Sequence, residues 1–229
     1  MSTLHCTIPT NQAWPFRTEA MARAIGLFKT PIQALEIGTW FGEGSTQIWM
    51  KHLCPGSTLT LVDPWRPYAS SADLADTGWN YSGMDSLVIE GYLSTILAVR
   101  KFENANPGRL SIDILRGDSE RVMDRMRDGI FDFIYIDGDH KYESVRQNLR
   151  DAKRLARHEH ALICGDDLEH LPCPELLDLA RQHVDRDYLR EPHNFHPGVM
   201  LAVHEEFGQV GMSDGFWWVF KQNGQFITV

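Results

Sequence analysis

The chain has 229 residues, and its 22 lysines and arginines against 31 aspartates and glutamates give a formal net charge of −9. The apolar fraction of 43% is large enough for the core of one domain, which excludes global disorder. Because acidic residues outnumber basic ones and the basic residues form no cluster along the chain, we expect neither nucleic acid nor an anionic membrane surface as a partner.

The N-terminal segment and the cysteines indicate the compartment. Residues 1–9 contain neither a basic nor an apolar signal region, so no secretory signal is expected. Apolar runs such as 131–136 fall far short of the ~20 residues that a membrane helix needs. The four cysteines show no C-x-x-C spacing, which favours free thiols, with Cys164 in the core. We therefore expect a soluble, cytoplasmic protein. The cysteines are Cys6, Cys54, Cys164 and Cys173.

Short apolar runs alternate with amphipathic stretches along the chain, a pattern typical of βαβ units. The predicted strands are 33–38, 58–63, 110–115, 131–137 and 161–165. The predicted helices are 17–29, 45–52, 87–104, 119–127, 143–157 and 174–184. With a closing antiparallel hairpin formed by 198–203 and 216–221, the prediction is an α/β, doubly wound, Rossmann-like and mostly parallel seven-stranded sheet. We expect a single domain over 1–229, with a helical segment at 1–32 and C-terminal strands within 190–229.

Two regions interrupt this alternation. The loop 64–85 is long and aromatic, which favours a lid or substrate wall over a flexible linker. Its candidate substrate contacts are Trp65, Trp79 and Tyr81. Between two prolines lie His193 and His196, for which substrate contact is favoured over metal ligation because their spacing is unspecific.

A glycine-rich turn follows the first predicted strand and opens a helix, from Glu36 to Ser45. Its G-x-x-x-G-x-G spacing differs from the G-x-G-x-x-G of dinucleotide-binding folds. Glu36 and Glu43 would repel a pyrophosphate, whereas a ligand with an ammonium and a sulfonium group would suffer no such penalty. The turn therefore favours a cationic cofactor, and a structural turn without a ligand is the alternative.

Acidic residues at the ends of the next two predicted strands extend this candidate pocket. Asp63 stands where an acid commonly binds the two hydroxyls of a ribose, although it could simply start the turn before a proline. Asp118 and Ser119 follow the third strand and are candidates for the adenine side, while Ser119 is equally suited to cap a helix.

Carboxylates also follow the two apolar strands in the middle of the chain. Asp137 and Asp139 end one strand, and the pair Asp166 and Asp167 ends another. If these strands are parallel neighbours, their ends lie roughly 5 Å apart, and a divalent cation would relieve the repulsion. Oxygen ligands suit Mg²⁺, Mn²⁺ or Ca²⁺ better than zinc; ordinary helix caps are the alternative. His140 can return over the same edge as a proton acceptor, or be only a satisfied polar residue.

Together these ordered motifs resemble the class I S-adenosylmethionine-dependent methyltransferases. They are most similar to metal-dependent O-methyltransferases of the macrocin O-methyltransferase and cephalosporin hydroxylase-like type, and distantly to the catechol type. The resemblance spans about 33–167. It implies metal ligation by Asp137, Asp166 and Asp167, with His140 as the general base. The cofactor-binding residues that it implies are Glu36, Gly38, Thr39, Trp40, Gly42, Ser45, Asp63, Asp118, Ser119 and Asp137.

The resemblance also implies a reaction. S-adenosyl-L-methionine would donate a methyl group to a hydroxyl of a small molecule with adjacent oxygens, such as a sugar or a catechol, with Mg²⁺ as the expected cation. An oxidoreductase that uses NAD on a similar sheet, a non-catalytic cofactor-binding protein and methylation of nitrogen are the alternatives. The sequence leaves open whether the chain forms a homo-oligomer.

Overall fold

The computed structural model of the chain describes residues 15–67 and 84–228. The helices in these residues are α1 (Pro15–Ile25), α2 (Ser45–His52), α3 (Met84–Ala105), α4 (Ser119–Asp124), α5 (Tyr142–Leu155), α6 (Pro174–Gln182) and α7 (Pro197–Phe207). The strands are β1 (Gln33–Ile37), β2 (Thr58–Asp63), β3 (Ser111–Arg116), β4 (Phe133–Ile136), β5 (His160–Leu168), β6 (Gly211–Ser213), β7 (Gly215–Gln222) and β8 (Gln225–Ile227).

One sheet contains all these strands, in the order β3-β2-β1-β4-β5-β7-β6, with β8 paired to β7. Strands β1 to β5 are parallel, and β7 is antiparallel to β5. The doubly wound, mostly parallel fold is therefore confirmed, although the sheet has eight strands rather than the seven predicted. The strand order reverses between β1 and β4, and open α/β sheets bind their ligands at the carboxyl ends of such strands.

The C-terminal hairpin was wrongly placed at 198–203. Those residues lie in helix α7, which begins with Pro197 and ends before Gly208, a residue with a φ of 71°. A short, continuous apolar run fits a buried helix as well as a buried strand, so periodicity alone could not separate them. The antiparallel strands are instead β6, β7 and β8, and the prediction of a strand over 216–221 is confirmed by β7.

Strand β5 also runs further than expected, because it continues to Leu168 and includes Asp166 and Asp167. Its pairing with β7 shifts register between Gly165 and Leu168. Asp167 has a φ of 65°, a left-handed conformation that is uncommon for a residue other than glycine. The irregularity turns two successive carboxylates toward different neighbours at the end of the strand.

Alternation along β1 explains how the core is divided between the two faces of the sheet. Leu35 and Ile37 pack on the face covered by α5, α6 and α7, whereas Ala34 faces α1, α2 and α3. Glu36 points to the same side as Ala34 and is fully buried. Cys164 is buried, as predicted, and Cys6 lies outside the described residues. None of the described helices is long and apolar enough to cross a bilayer.

Candidate active site

A cavity of about 1210 Å³ lies at the carboxyl ends of the parallel strands. The glycine turn after β1, Asp63 at the end of β2, Asp118 before α4 and Asp137 after β4 all line it. Helix α1 and the segment between α6 and α7 line other parts of the same wall. The topology therefore joins most of the predicted cofactor residues with Asp137, Asp167 and His140 in one cavity, whereas Glu36, Gly42 and Asp166 are not among the described residues that line it.

The glycine turn is shaped by a close approach between two strand ends. Gly38 has a φ of 85°, and a Cβ on it would lie 1.7 Å from the carbonyl oxygen of Asp137. Thr39, Trp40, Gly44 and Ser45 line the cavity beside it. Only glycine fits at position 38, so the backbone of β4 can lie directly against the turn.

Two of the predicted cofactor residues lie behind the turn. Glu36 accepts hydrogen bonds from the hydroxyls of Ser45 and Thr46 at the start of α2, and it does not line the cavity. Burial raises the pKa of Glu36 to about 8, although both hydroxyls oppose this. Gly42, with a φ of 65°, backs onto Thr95 of α3. These residues support the turn.

Asp63 fixes the turn through three backbone N–H groups. Its Oδ2 accepts from Thr39 and Trp40, each at 2.9 Å, and its Oδ1 accepts from Trp65 at 2.6 Å. Burial raises the pKa of Asp63, while these three hydrogen bonds lower it. The carboxylate also lines the cavity. Asp63 therefore braces the turn and stays a candidate for the predicted ribose contact.

The adenine-side and aromatic predictions have different outcomes. Asp118 and Ser119 line the cavity, and Asp118 forms an ion pair with Arg66 at 2.6 Å.

Trp65 lines the cavity but is only 2% exposed, because its ring packs on Tyr92 with centroids 4.7 Å apart. Its Nε1 donates to the carbonyl of Trp40 at 2.8 Å, which holds the loop against the turn. Trp79 and Tyr81, with 68–83 of the predicted lid, lie outside the described residues.

The structure brings Asp137 and Asp167 together with His140. Ligand atoms of Asp137, Asp167 and His140 lie within 4.8 Å of one another. Burial and the charge of Asp167 raise the pKa of Asp137 to about 6. Burial alone would also raise the pKa of Asp167, but His196 and His140 hold it below its ordinary value.

Asp166 has a different neighbour. One of its oxygens forms an ion pair with Arg17 of α1, and its Oδ1 is buried without a hydrogen-bond partner. Burial, with Asp167 and Asp137 nearby, raises its pKa well above the ordinary range. Asp166 also borders a small void of about 10 Å³, together with Asp137, Asp167 and His140. All three predicted metal ligands therefore line this void, but among the described residues Asp166 belongs to no group whose ligand atoms lie within 4.8 Å of one another, and it pairs with an arginine instead.

His140 is held between two carboxylates. Its Nε2 lies 3.0 Å from Oδ2 of Asp167, and its Nδ1 lies 2.9 Å from Oδ1 of Asp187. Burial lowers the pKa of His140, but Asp187 and Asp167 raise it well above its ordinary value. Both ring nitrogens therefore face carboxylate oxygens, which favour the charged form of the imidazole.

The two histidines of the 193–196 segment separate in the structure. His196 lines the cavity, its ring centroid lies 4.4 Å from that of His140, and its Nδ1 lies 2.5 Å from Oε1 of Glu169. His193 is exposed and is not among the described residues that line the cavity; its ring lies 6.4 Å from that of His170.

Three site residues escaped the sequence analysis, namely Arg17, Glu169 and Asp187. Arg17 lies on the N-terminal helix and Asp187 in a polar segment between helices, far in sequence from the strand ends that they meet. No motif marks either residue. Only the proximity of Glu169 to the Asp166 and Asp167 pair could have indicated a role for it.

Comparison with known proteins identifies the family to which the chain belongs. The profile of the methyltransferase domain family matches residues 35–168, more than half of the chain. The chain therefore belongs to the methyltransferase domain family, and the expectation of a methyltransferase is confirmed. The comparison with curated protein sequences finds no match.

Solved structures share the fold at low sequence identity. Cofactor-bound Rv0187 from MTB is 16% identical, with a TM-score of 0.58 over 95% of this chain and 84% of that one. A protein described as an O-methyltransferase from Klebsiella pneumoniae is 17% identical, with a TM-score of 0.55 over 94% and 84%. The O-methyltransferase from Bacillus cereus in complex with SAH is 18% identical, with a TM-score of 0.50 over 93% and 81%.

Proposed function

We propose that the protein transfers a methyl group from S-adenosylmethionine to a hydroxyl of a small molecule, with a divalent cation at the acidic edge of the sheet. The observation that carries the proposal is the single cavity in which the glycine turn meets Asp137, Asp167 and His140. The family match over 35–168 supplies the reaction class, and the relative from Bacillus cereus, described in complex with SAH, supports the cofactor.

The charge of the cavity supports a cationic cofactor. Asp63 and Asp137 line the wall beside the turn, so a sulfonium and an ammonium group would meet favourable charge there, while Asp118 is paired with Arg66. The family match counts against a nicotinamide-dependent oxidoreductase.

The donor set fits a divalent cation. Asp137, Asp166 and Asp167 are among the residues that line a void of about 10 Å³, close to the space of one water-sized particle. All three donors are carboxylate oxygens, which suit Mg²⁺. When bound, such an ion would offset the charge of the carboxylates and lower the pKa of an acceptor hydroxyl.

Methyl transfer to a hydroxyl needs a proton acceptor for the hydroxyl and a donor that is held in place. His140 first gives up its Nε2 hydrogen to solvent, a loss that a cation beside Asp167 would favour, and in its neutral form it takes the hydroxyl proton at Nε2. The acceptor oxygen attacks the methyl carbon in line with the carbon–sulfur bond, whose electron pair stays on sulfur as S-adenosylhomocysteine forms. Asp63 and the glycine turn keep the donor in place, so that the two reacting atoms meet in attack geometry. We propose an acceptor with two adjacent oxygens, such as a sugar diol or a catechol.

Calorimetric titration with S-adenosylhomocysteine tests the cofactor, and the absence of binding would overturn the proposal. Mass spectrometry of a diol and catechol library with labelled methyl donor tests the reaction. Cofactor binding without methyl transfer to any member would favour the non-catalytic alternative.

The cation needs a separate experiment, with Mn²⁺ as a paramagnetic probe. The double variant Asp166→Ala with Asp167→Ala should abolish Mn²⁺ binding and activity while the affinity for S-adenosylhomocysteine changes little. Asp113→Asn is the control, because Asp113 is exposed on β3 and lines neither the cavity nor the small void. Full activity in EDTA would contradict the metal step.

A further inference from the structure

We infer that Asp187 is a positioning residue that holds His140 in the orientation needed to accept the substrate proton. The inference rests on the proposed function and adds a residue to its site. Asp187 comes from the segment between α6 and α7, and its Oδ1 lies 2.9 Å from Nδ1 of His140. Its side chain is only 6% exposed.

The segment that carries Asp187 is fixed on both sides. Before it, the carbonyl of Val184 accepts from the N–H of Tyr142 at 3.1 Å. After it, Leu189 and Phe195 exchange two backbone hydrogen bonds of 2.9 and 3.1 Å, and the Phe195 side chain is fully buried. Asp187 is therefore presented by an anchored segment, which satisfies a basic requirement for a residue that must hold another in place.

His140 is fixed from its backbone as well. Helix α7 packs so closely on it that a Cβ on Gly198 would lie 2.2 Å from the His140 carbonyl oxygen. This contact fixes the His140 backbone, while Asp187 and Asp167 hold the two nitrogens of its ring.

The chemistry of the pair determines the tautomer. An ionised carboxylate accepts hydrogen bonds and donates none, so the ring nitrogen that faces Asp187 must carry the hydrogen. Asp167 makes the same demand on Nε2 at 3.0 Å, so the lone pair of a neutral imidazole lies on Nε2 where a cation offsets the charge of Asp167. Without Asp187 both tautomers and ring flips become accessible, and only one of these states has its lone pair directed at the acceptor.

The variants Asp187→Asn and Asp187→Glu test this role. The Asn amide can donate to Nδ1, which favours the tautomer with hydrogen on Nε2, so kcat should fall by roughly 10²- to 10⁴-fold, as for other carboxylate–histidine pairs. KM and the affinity for S-adenosylhomocysteine should change less than about threefold, because neither ligand contacts Asp187 in this proposal. Asp187→Glu keeps the acceptor and should recover part of the lost rate.

Asp185→Asn is the matched control, because Asp185 is exposed on the same segment two residues away. Its kcat should equal that of the wild type. An equal loss in Asp185→Asn and Asp187→Asn would indicate a general effect on the segment and overturn the inference.

Nitrogen NMR of the His140 ring keeps the inference testable without turnover. With Mg²⁺ present and at a pH where the ring is neutral, the wild type should carry its hydrogen on Nδ1 and the Asn variant should not. An unchanged tautomer would overturn the inference, even in an active enzyme. Loss of Mn²⁺ binding in Asp187→Asn would overturn it too, because Asp187 would then be a metal ligand. Failure of the proposed function is distinguishable, since it shows as absent S-adenosylhomocysteine binding in the wild type.

Discussion

Replacement of Gly38 by alanine tests whether the contact between β1 and β4 builds the cofactor side of the cavity. The new Cβ would lie 1.7 Å from the carbonyl oxygen of Asp137 and 2.8 Å from Cα of Gly138, both backbone atoms that no rotamer change can move. The φ of 85° adds conformational strain. Strain of about 1–3 kcal/mol and overpacking of about 1–3 kcal/mol give an expected loss of roughly 2–6 kcal/mol.

Thermal unfolding and calorimetric titration measure the result. For a domain of this size a loss of 1 kcal/mol shifts Tm by roughly 2–4 °C, so Tm should fall by roughly 5–20 °C. S-adenosylhomocysteine binding should weaken as well, because relief of the clash separates Asp137 from the turn. Gly44→Ala is the control in the same turn: no described atom lies within 4 Å of its Cβ position, so this variant changes the backbone preference without a steric clash. Equal Tm values for the two variants would refute the reasoning.

Three further predictions follow from the site. Because the pKa of Glu36 is raised from 4.5 to about 8, the folded state keeps a proton that the unfolded state loses between these values. The free energy of unfolding of the wild type should therefore fall by up to about 5 kcal/mol as pH rises through this window. Urea unfolding at pH 5 and pH 8 measures this loss, and Glu36→Gln should not show it. Asp63→Asn should weaken S-adenosylhomocysteine binding by about 10-fold or more, because one amide oxygen cannot accept from all three N–H groups; an unchanged affinity would contradict the bracing role. Gly198→Ala should reduce kcat more than cofactor affinity, because the new Cβ displaces the His140 backbone. Gly208→Ala is the control, because no described atom lies within 4 Å of its Cβ position. It should lower stability through its φ of 71° and leave the ratio of kcat to cofactor affinity unchanged.

The sheet was predictable because its signals are local. Each parallel strand is a short apolar run ended by a glycine or a carboxylate, and the ends of β1, β2 and β4 differ from the prediction by only a residue or two. The error at 198–203 had a physical cause, because an apolar run that is buried on all sides carries no periodicity. The extension of β5 through Asp166 and Asp167 was missed because charged residues usually mark the end of a buried strand.

The site was predictable where its residues follow strands and unpredictable where they do not. Asp137 and Asp167 meet because the carboxyl ends of neighbouring parallel strands share one edge. The partners of His140 and Asp166 depend on how a helix and a loop pack on that edge, and such contacts leave no spacing in the sequence. Asp187 and Arg17 therefore required the structure.

The ion pair between Arg17 and Asp166 has a consequence for choosing the boundaries of an expressed fragment. The family profile covers only 35–168, yet a fragment with those limits would lack the guanidinium that faces Asp166 and the strand β7 that pairs with β5. A buried carboxylate and an open sheet edge would remain, and both favour misfolding or association. The smallest autonomous enzyme therefore begins no later than α1 and extends through β7.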